Sequence, residues 1–149
     1  MPDLLIDTNV LVLLVVGSHD RRAVGRFKRT ATFSNADYDR LTRLIGQYRR
    51  LLTTPAVMTE VGNLLGNAHR ALARTVVSVL GPAGERTVPK ADILANAFFP
   101  ELGYADTSLL LSADRNTTVL TDDWPLYNVL LYHERAAMNF NHLRTPRRG

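Results

Sequence analysis

The sequence predicts an α/β protein, a three-layer α/β/α sandwich around a central parallel sheet of about five strands. Short apolar and β-branched runs such as Leu4 to Ile6 and Thr117 to Thr121 lie too far apart to pair through hairpins. The stretches between them have helical period, as in Leu41, Leu44, Ile45 and Tyr48. Strands that alternate with helices imply right-handed crossovers and a helical layer on each face. The length of 149 residues with 46% apolar content suits one domain spanning residues 1–149.

Along the chain, Leu4 to Ile6 reads as the first strand and Thr8 to Val16 as a buried helix that stops near Gly17-Ser18. A basic helix is expected from Arg21 to Arg29, then a polar turn, then a helix from Asp37 to Leu51. Thr53 to Val57 reads as the second strand, with Thr59 capping the helix that follows. His69 to Leu80 is helical and ends at Gly81-Pro82. Arg86 to Val88 reads as a small third strand, and Pro89 opens a helix running to Phe99, where Pro100 stops it. Tyr104 to Ala113 is helical with Leu109, Leu110 and Leu111 inside. Thr117 to Thr121 is a strand, Trp124 to Arg135 a helix, Ala137 to Leu143 a last strand, and Arg144 to Gly149 a frayed tail.

The chain has no Cys, which excludes disulfides, thiolate metal sites and cysteine nucleophiles. Asp7 and Asn9 interrupt the apolar run from Leu4 to Val16, which is too short to span a bilayer, so a cytoplasmic protein without a membrane partner is expected. The net charge of +4 is unevenly spread. Basic residues crowd the segment from Arg21 to Arg50, and Arg144, Arg147 and Arg148 follow at the end. Arg22, Arg26 and Arg29 are the candidates for holding a phosphate backbone, with a solvated helix face as the plainer alternative.

Acidic residues stand where strands give way to helices. They are Asp7 after Leu4-Leu5-Ile6, Glu60 after Thr59, Asp106 after Tyr104-Ala105, and Asp122-Asp123 after Leu120-Thr121. The carboxyl ends of parallel strands share one edge, so acids distant in sequence meet there. Carboxylates gathered in one place either hold protons or hold a hard divalent cation. Taken singly, Asp7, Asp106 and the Asp122-Asp123 pair also fit helix caps, and Glu60 fits a helix-dipole complement.

In this order, Leu4-Leu5-Ile6-Asp7-Thr8-Asn9-Val10, Thr59-Glu60-Val61, Tyr104-Ala105-Asp106 and Leu120-Thr121-Asp122-Asp123 resemble the acidic motifs of PIN-domain ribonucleases, over essentially the whole chain. The resemblance implies a Mg²⁺- or Mn²⁺-dependent endoribonuclease acting on RNA, often the VapC-like toxin of a toxin–antitoxin pair, with an antitoxin protein and a second copy of the chain as partners. It also implies a five-stranded parallel sheet. The family's fourth acid corresponds to Asp123, yet Asp122 is acidic too, and the sequence leaves open which one faces the pocket.

The chemistry of phosphodiester hydrolysis asks for the same residues. A bound cation lowers the pKa of water and neutralises phosphoryl oxygens. Asp7 and Asp106 are the expected direct ligands, Asp123 or Asp122 a ligand directly or through water, and Glu60 the group that orients or deprotonates the attacking water. Thr8, Asn9 and Thr121 are expected to hold a phosphate or fix a neighbouring carboxylate. Two other functions fit the pattern less well. A haloacid-dehalogenase-like phosphohydrolase needs a second Asp where Asn9 stands, and a non-catalytic RNA-binding module would have lost its acids.

Overall fold

The computed structural model describes residues 1–144, and the expected basic residues Arg147 and Arg148 lie outside that range. Five parallel strands form one sheet in the order β3-β2-β1-β4-β5. They are β1 (Asp3–Ile6), β2 (Leu51–Thr53), β3 (Gly84–Glu85), β4 (Thr117–Thr121) and β5 (Ala137–Asn139). The helices are α1 (Thr8–His19), α2 (Asn35–Ile45), α3 (Pro55–Leu65), α4 (His69–Leu80), α5 (Lys90–Ala95), α6 (Phe99–Ser112), α7 (Trp124–Tyr132) and α8 (Phe140–Leu143).

The order of strands reverses direction at β1. The chain steps outward from β1 to β2 and β3, then returns to β4 on the other side. With right-handed crossovers, α1 to α4 cover one face and α5 to α7 the other. The helix contacts agree: α1 packs on α2, α3 and α4, while α6 packs on α5 and α7. The sheet is thus the middle of three layers, and the crevice at its switch point opens between the carboxyl ends of β1 and β4.

Burial explains why the central elements were legible in the sequence. All of β1 is buried, and Val10 through Val16 are buried without interruption. A helix buried on every side belongs in the centre of the domain, which is why α1 reads as an apolar run rather than an amphipathic one. α1 and α2 approach closely at Gly17, where an added Cβ would strike the Tyr38 ring.

Several boundaries differ from the sequence reading, each for a local reason. The stretch from Arg21 to Arg29 forms no α-helix; it holds two 3₁₀ turns, Arg21–Ala23 and Lys28–Thr30. Buried Thr30 donates its hydroxyl to the Val24 carbonyl at 2.6 Å and closes that loop on itself. α2 starts earlier than expected because Ser34 and Asp37 make a reciprocal capping box, and it ends at Gly46. β2 ends at Thr53 because Thr54 caps α3 and Pro55 occupies its first turn. Thr59 is therefore not a cap; its hydroxyl donates back to the Pro55 carbonyl.

On the other face, β3 precedes Arg86 to Val88 and pairs with β2 at Leu52 and Thr53. Pro100 does not stop a helix; it lies in the first turn of α6. Within α6 the backbone breaks at Gly103, with φ 78° and ψ −178°, a region nearly closed to side-chain-bearing residues. The helix that carries Asp106 therefore restarts at Tyr104, as the sequence indicates. Leu109 and Leu110 are buried, but Leu111 is exposed. α7 stops at Tyr132, β5 is only Ala137–Asn139, and buried Asn139 caps α8 by accepting the Asn141 N–H. Arg144 is not frayed: it donates to Asp37 at 3.1 Å and to the Thr32 carbonyl.

At the amino edge of the sheet lies a charge cluster that the sequence reading missed. Asp3 is fully buried and takes a two-pronged contact from Arg49, at 2.8 and 2.9 Å, with Arg50 at 3.2 Å. Arg86 stands 3.9 Å away and also pairs with Asp114. Hydrogen bonding to Arg49 outweighs burial and lowers the Asp3 pKa from 3.8 to about 2. Stability from this group is present above the ordinary carboxylate value and is lost as pH falls through about 2. Arg49→Met removes the two-pronged partner but leaves Arg50, so it should cost about 2–3 kcal/mol at pH 7. Urea unfolding at pH 7 and pH 3 checks this: the variant's loss should shrink at the lower pH.

Candidate metal centre at the carboxyl edge

Asp7 follows β1 without a break, because its N–H still pairs with the Leu120 carbonyl of β4 at 2.9 Å. The side chain caps α1 and is only 5% exposed. One carboxylate oxygen accepts the Thr8 N–H at 2.7 Å, and the other accepts the Thr121 hydroxyl at 2.5 Å. Thr121 in turn accepts the Asp123 N–H at 2.9 Å, so a single hydroxyl links the ends of β1 and β4. Each Asp7 oxygen keeps a second lone pair for another partner.

The other acids arrive from different elements. Glu60 lies in the second turn of α3 rather than the first, a consequence of the earlier start at Pro55. Its carboxylate accepts the Thr8 hydroxyl at 3.0 Å. Asp106 lies in the first turn after the Gly103 break. α3 and α6 are joined beneath these two acids, where buried Thr54 and Ser108 hydroxyls meet at 2.9 Å. Asp123 caps α7 by accepting the Leu126 N–H at 3.0 Å, and Asp122 lies 3.5 Å from the Asn9 side-chain amide.

Electrostatics shows that these acids share one site. Burial raises the Asp7 pKa to about 6 against its two hydrogen bonds, with the charges of Asp122 and Asp123 adding to the rise. Asp106 goes further, from 3.8 to about 9. Burial comes first, followed by the charges of Asp7, Asp123 and Glu60 and a side-chain hydrogen bond to Asp7. Burial also raises Asp122, while Asn9 and, more weakly, Arg144 oppose that rise. Burial and their mutual charge thus both favour the protonated form at Asp7 and Asp106.

All five acidic residues expected from the sequence thus meet here, and Thr8, Asn9 and Thr121 fix carboxylates rather than a phosphate. Both members of the doublet act on Asp7; Asp123 also acts on Asp106, and Asp122 stands beside Asn9 and within reach of Arg144. A cleft of about 400 Å³ opens next to Glu60, walled by Pro55, Ala56, Thr59, Tyr104 and Ala105.

The basic residues do not gather here as one stripe. Arg49 and Arg50 serve Asp3 at the opposite edge. Arg22, Arg26 and Arg29 are exposed in the loop beyond α1, a helix that carries the chain about 18 Å from Asp7. Arg22 pairs there with Asp20, and Arg26 donates to the Arg22 carbonyl. Among the described residues, Arg144 does act on this site, through Asp122.

By donor type the site fits a hard divalent cation, since every side chain offered is a carboxylate. Among the described residues no three acidic or histidine side chains converge tightly enough to chelate an ion. Magnesium does not require that, because it keeps several waters and commonly takes only one or two carboxylates directly. Asp7 and Asp106 are the residues that could take the direct positions.

The raised pKa values have a consequence for stability. The folded site holds a proton that the unfolded chain releases above the ordinary value of 3.8. That stability is fully present below about 4 and is lost as pH rises toward and through about 9. In EDTA the melting temperature should therefore fall between pH 5 and pH 9. Asp106→Asn should flatten this slope and stabilise the protein at pH 8 by on the order of 1–2 kcal/mol. Thermal scans across that range check both statements, and a parallel fall in the variant would refute them.

No protein-family model matches the chain, and no curated protein matches it. Among solved structures the chain is similar to a domain of a functionally unknown protein from Methanocaldococcus jannaschii DSM 2661. The TM-score is 0.47, with 16% sequence identity over 100% of this chain and 96% of that one.

Proposed function

We propose that this protein is a divalent-cation-dependent ribonuclease that hydrolyses RNA phosphodiester bonds. One observation carries the reading: Asp7, Glu60, Asp106 and Asp123, from separate elements, are brought to one edge, where burial first and then the charges of Asp7, Asp123 and Glu60 push the Asp106 pKa up to about 9. Mutual repulsion of this kind is costly, and function is the usual reason a fold retains it. The acidic motifs resembling those of PIN-domain ribonucleases supply the residues of this site.

Each residue has a task that follows from its contacts. A divalent cation bound here would acidify a water and neutralise phosphoryl oxygens. Asp7 is pinned by the Thr8 N–H and the Thr121 hydroxyl, so its free lone pairs face a fixed direction. Asp106, whose carboxyl burial and neighbouring charges hold toward the neutral form, would be favoured as a carboxylate beside such a cation. Glu60 is exposed and aimed by the Thr8 hydroxyl, which suits it to accept a proton from the attacking water. Asp123 holds its place by capping α7. Asn9 engages Asp122 and offers no acid two residues after Asp7, which disfavours phosphomonoester transfer through an aspartyl intermediate.

Asp7→Asn and Asp106→Asn should each lower cleavage of long RNA in Mg²⁺ or Mn²⁺ by about 100-fold or more while the protein stays folded. Asp123→Asn preserves the helix cap, because Asn caps as well as Asp, so its loss of activity would be chemical. It should be severe and Asp122→Asn mild. Gel assays with EDTA as control, beside phosphate release from a small phosphomonoester, decide the matter. Wild-type cutting by both Asp7→Asn and Asp106→Asn would end this reading.

A further inference from the structure

A site rich in carboxylates repels the phosphates of RNA, so a substrate must be gripped by something other than charge alone. Trp124 directly follows Asp123 and opens α7, yet 56% of its surface is exposed. Its ring packs against two others. Tyr127 lies 5.7 Å away at a tilt of 37°, and His142 meets it nearly edge-on at 5.8 Å. Tyr127 and His142 close the triangle at 5.6 Å.

Two contacts tie this triangle to the acidic turn. The Asp123 carboxylate caps α7 at Leu126, which fixes the start of the helix that carries Trp124 and Tyr127. The Asn141 side-chain amide donates to the Asp122 carbonyl at 3.1 Å, which holds α8, and with it His142, against the same turn. Arg144 lies two residues on, with its guanidinium over the Phe33 ring. The platform is continuous with the acids rather than a separate patch.

Core packing does not account for an indole left more than half exposed. Rings already locked against one another lose little freedom when a ligand arrives. A flat aromatic face accepts any unpaired base by stacking, whereas a base inside a duplex has both faces covered by its neighbours. We propose that Trp124, supported by Tyr127 and His142, is a stacking platform for an unpaired nucleobase beside the scissile phosphate. This inference rests on the ribonuclease reading for its position in a reaction, but binding can be tested without cleavage.

Trp124 is the only tryptophan in the chain, so its fluorescence reports on this site alone. The Asp106→Asn protein keeps RNA uncut and carries less repulsion. In that background a single-stranded oligoadenylate should quench Trp124, while an abasic oligomer of equal length and a blunt RNA duplex should not. Adding Trp124→Ala should weaken binding of labelled oligoadenylate by about 10- to 100-fold, and Trp124→Phe should retain most of it. Equal quenching by the abasic oligomer, or unchanged affinity in the Trp124→Ala variant, overturns the platform. Quenching by oligoadenylate in a protein whose wild type cuts no RNA would uphold the platform and refute the cleavage reading.

Discussion

Everything at the carboxyl edge depends on a carboxylate buried at the end of the central strand. Asp7 sits in the interior only because the Thr8 N–H and the Thr121 hydroxyl bind its two oxygens. A buried polar group without partners would cost more than the helix cap returns. Thr121 also receives the Asp123 N–H, so the support of Asp7 and the placing of the doublet are one arrangement. The switch point between β1 and β4 brings these groups together, and right-handed crossovers bring α3 and α6 to the same edge.

The two ends of β1 treat the same functional group in opposite ways. Asp3 is surrounded by Arg49, Arg50 and Arg86, and its pKa falls to about 2. At Asp7, one short strand away, burial, with the smaller charges of Asp122 and Asp123 adding, raises the pKa to about 6. The cations at the amino edge belong to the architecture, since they neutralise a charge that the fold itself buries. At the carboxyl edge such compensation is withheld, apart from the weak influence of Arg144 on Asp122. Repulsion left in place at one edge of an otherwise well-paired fold marks the part kept for a ligand.

The aromatic triangle extends that edge in the direction of β5. Its rings come from α7 and α8, and both helices begin with a cap at the carboxyl end of a strand: Asp123 after β4 and Asn139 after β5. Capping thus does two jobs here. It satisfies the first N–H groups of each helix, and it sets the angle at which Trp124, Tyr127 and His142 leave the sheet.

By itself, the sequence determined the architecture and the identity of the acids. The strand Thr117–Thr121 and the helix His69–Leu80 were legible to the residue, because their β-branched run and their flanking breakers act locally. Asp7 and Asp122-Asp123 were legible because they directly follow apolar strands, whereas Glu60 lies in the second turn of α3 and Asp106 in the turn after the Gly103 break. Arg21 to Arg29 was misread as a helix because its closure depends on buried Thr30 reaching Val24, which composition does not show. The shift of β2 turned on Thr54 rather than Thr59 being the cap, a choice settled by contact with Ser108 on a distant helix. Only the tertiary structure decided that Asp3 is a buried structural anion and that Arg49 and Arg50 serve it. The reason is physical: strand and helix preferences arise between near neighbours in sequence, whereas the sign of a pKa shift is set by the burial and the charged partners that the tertiary fold imposes.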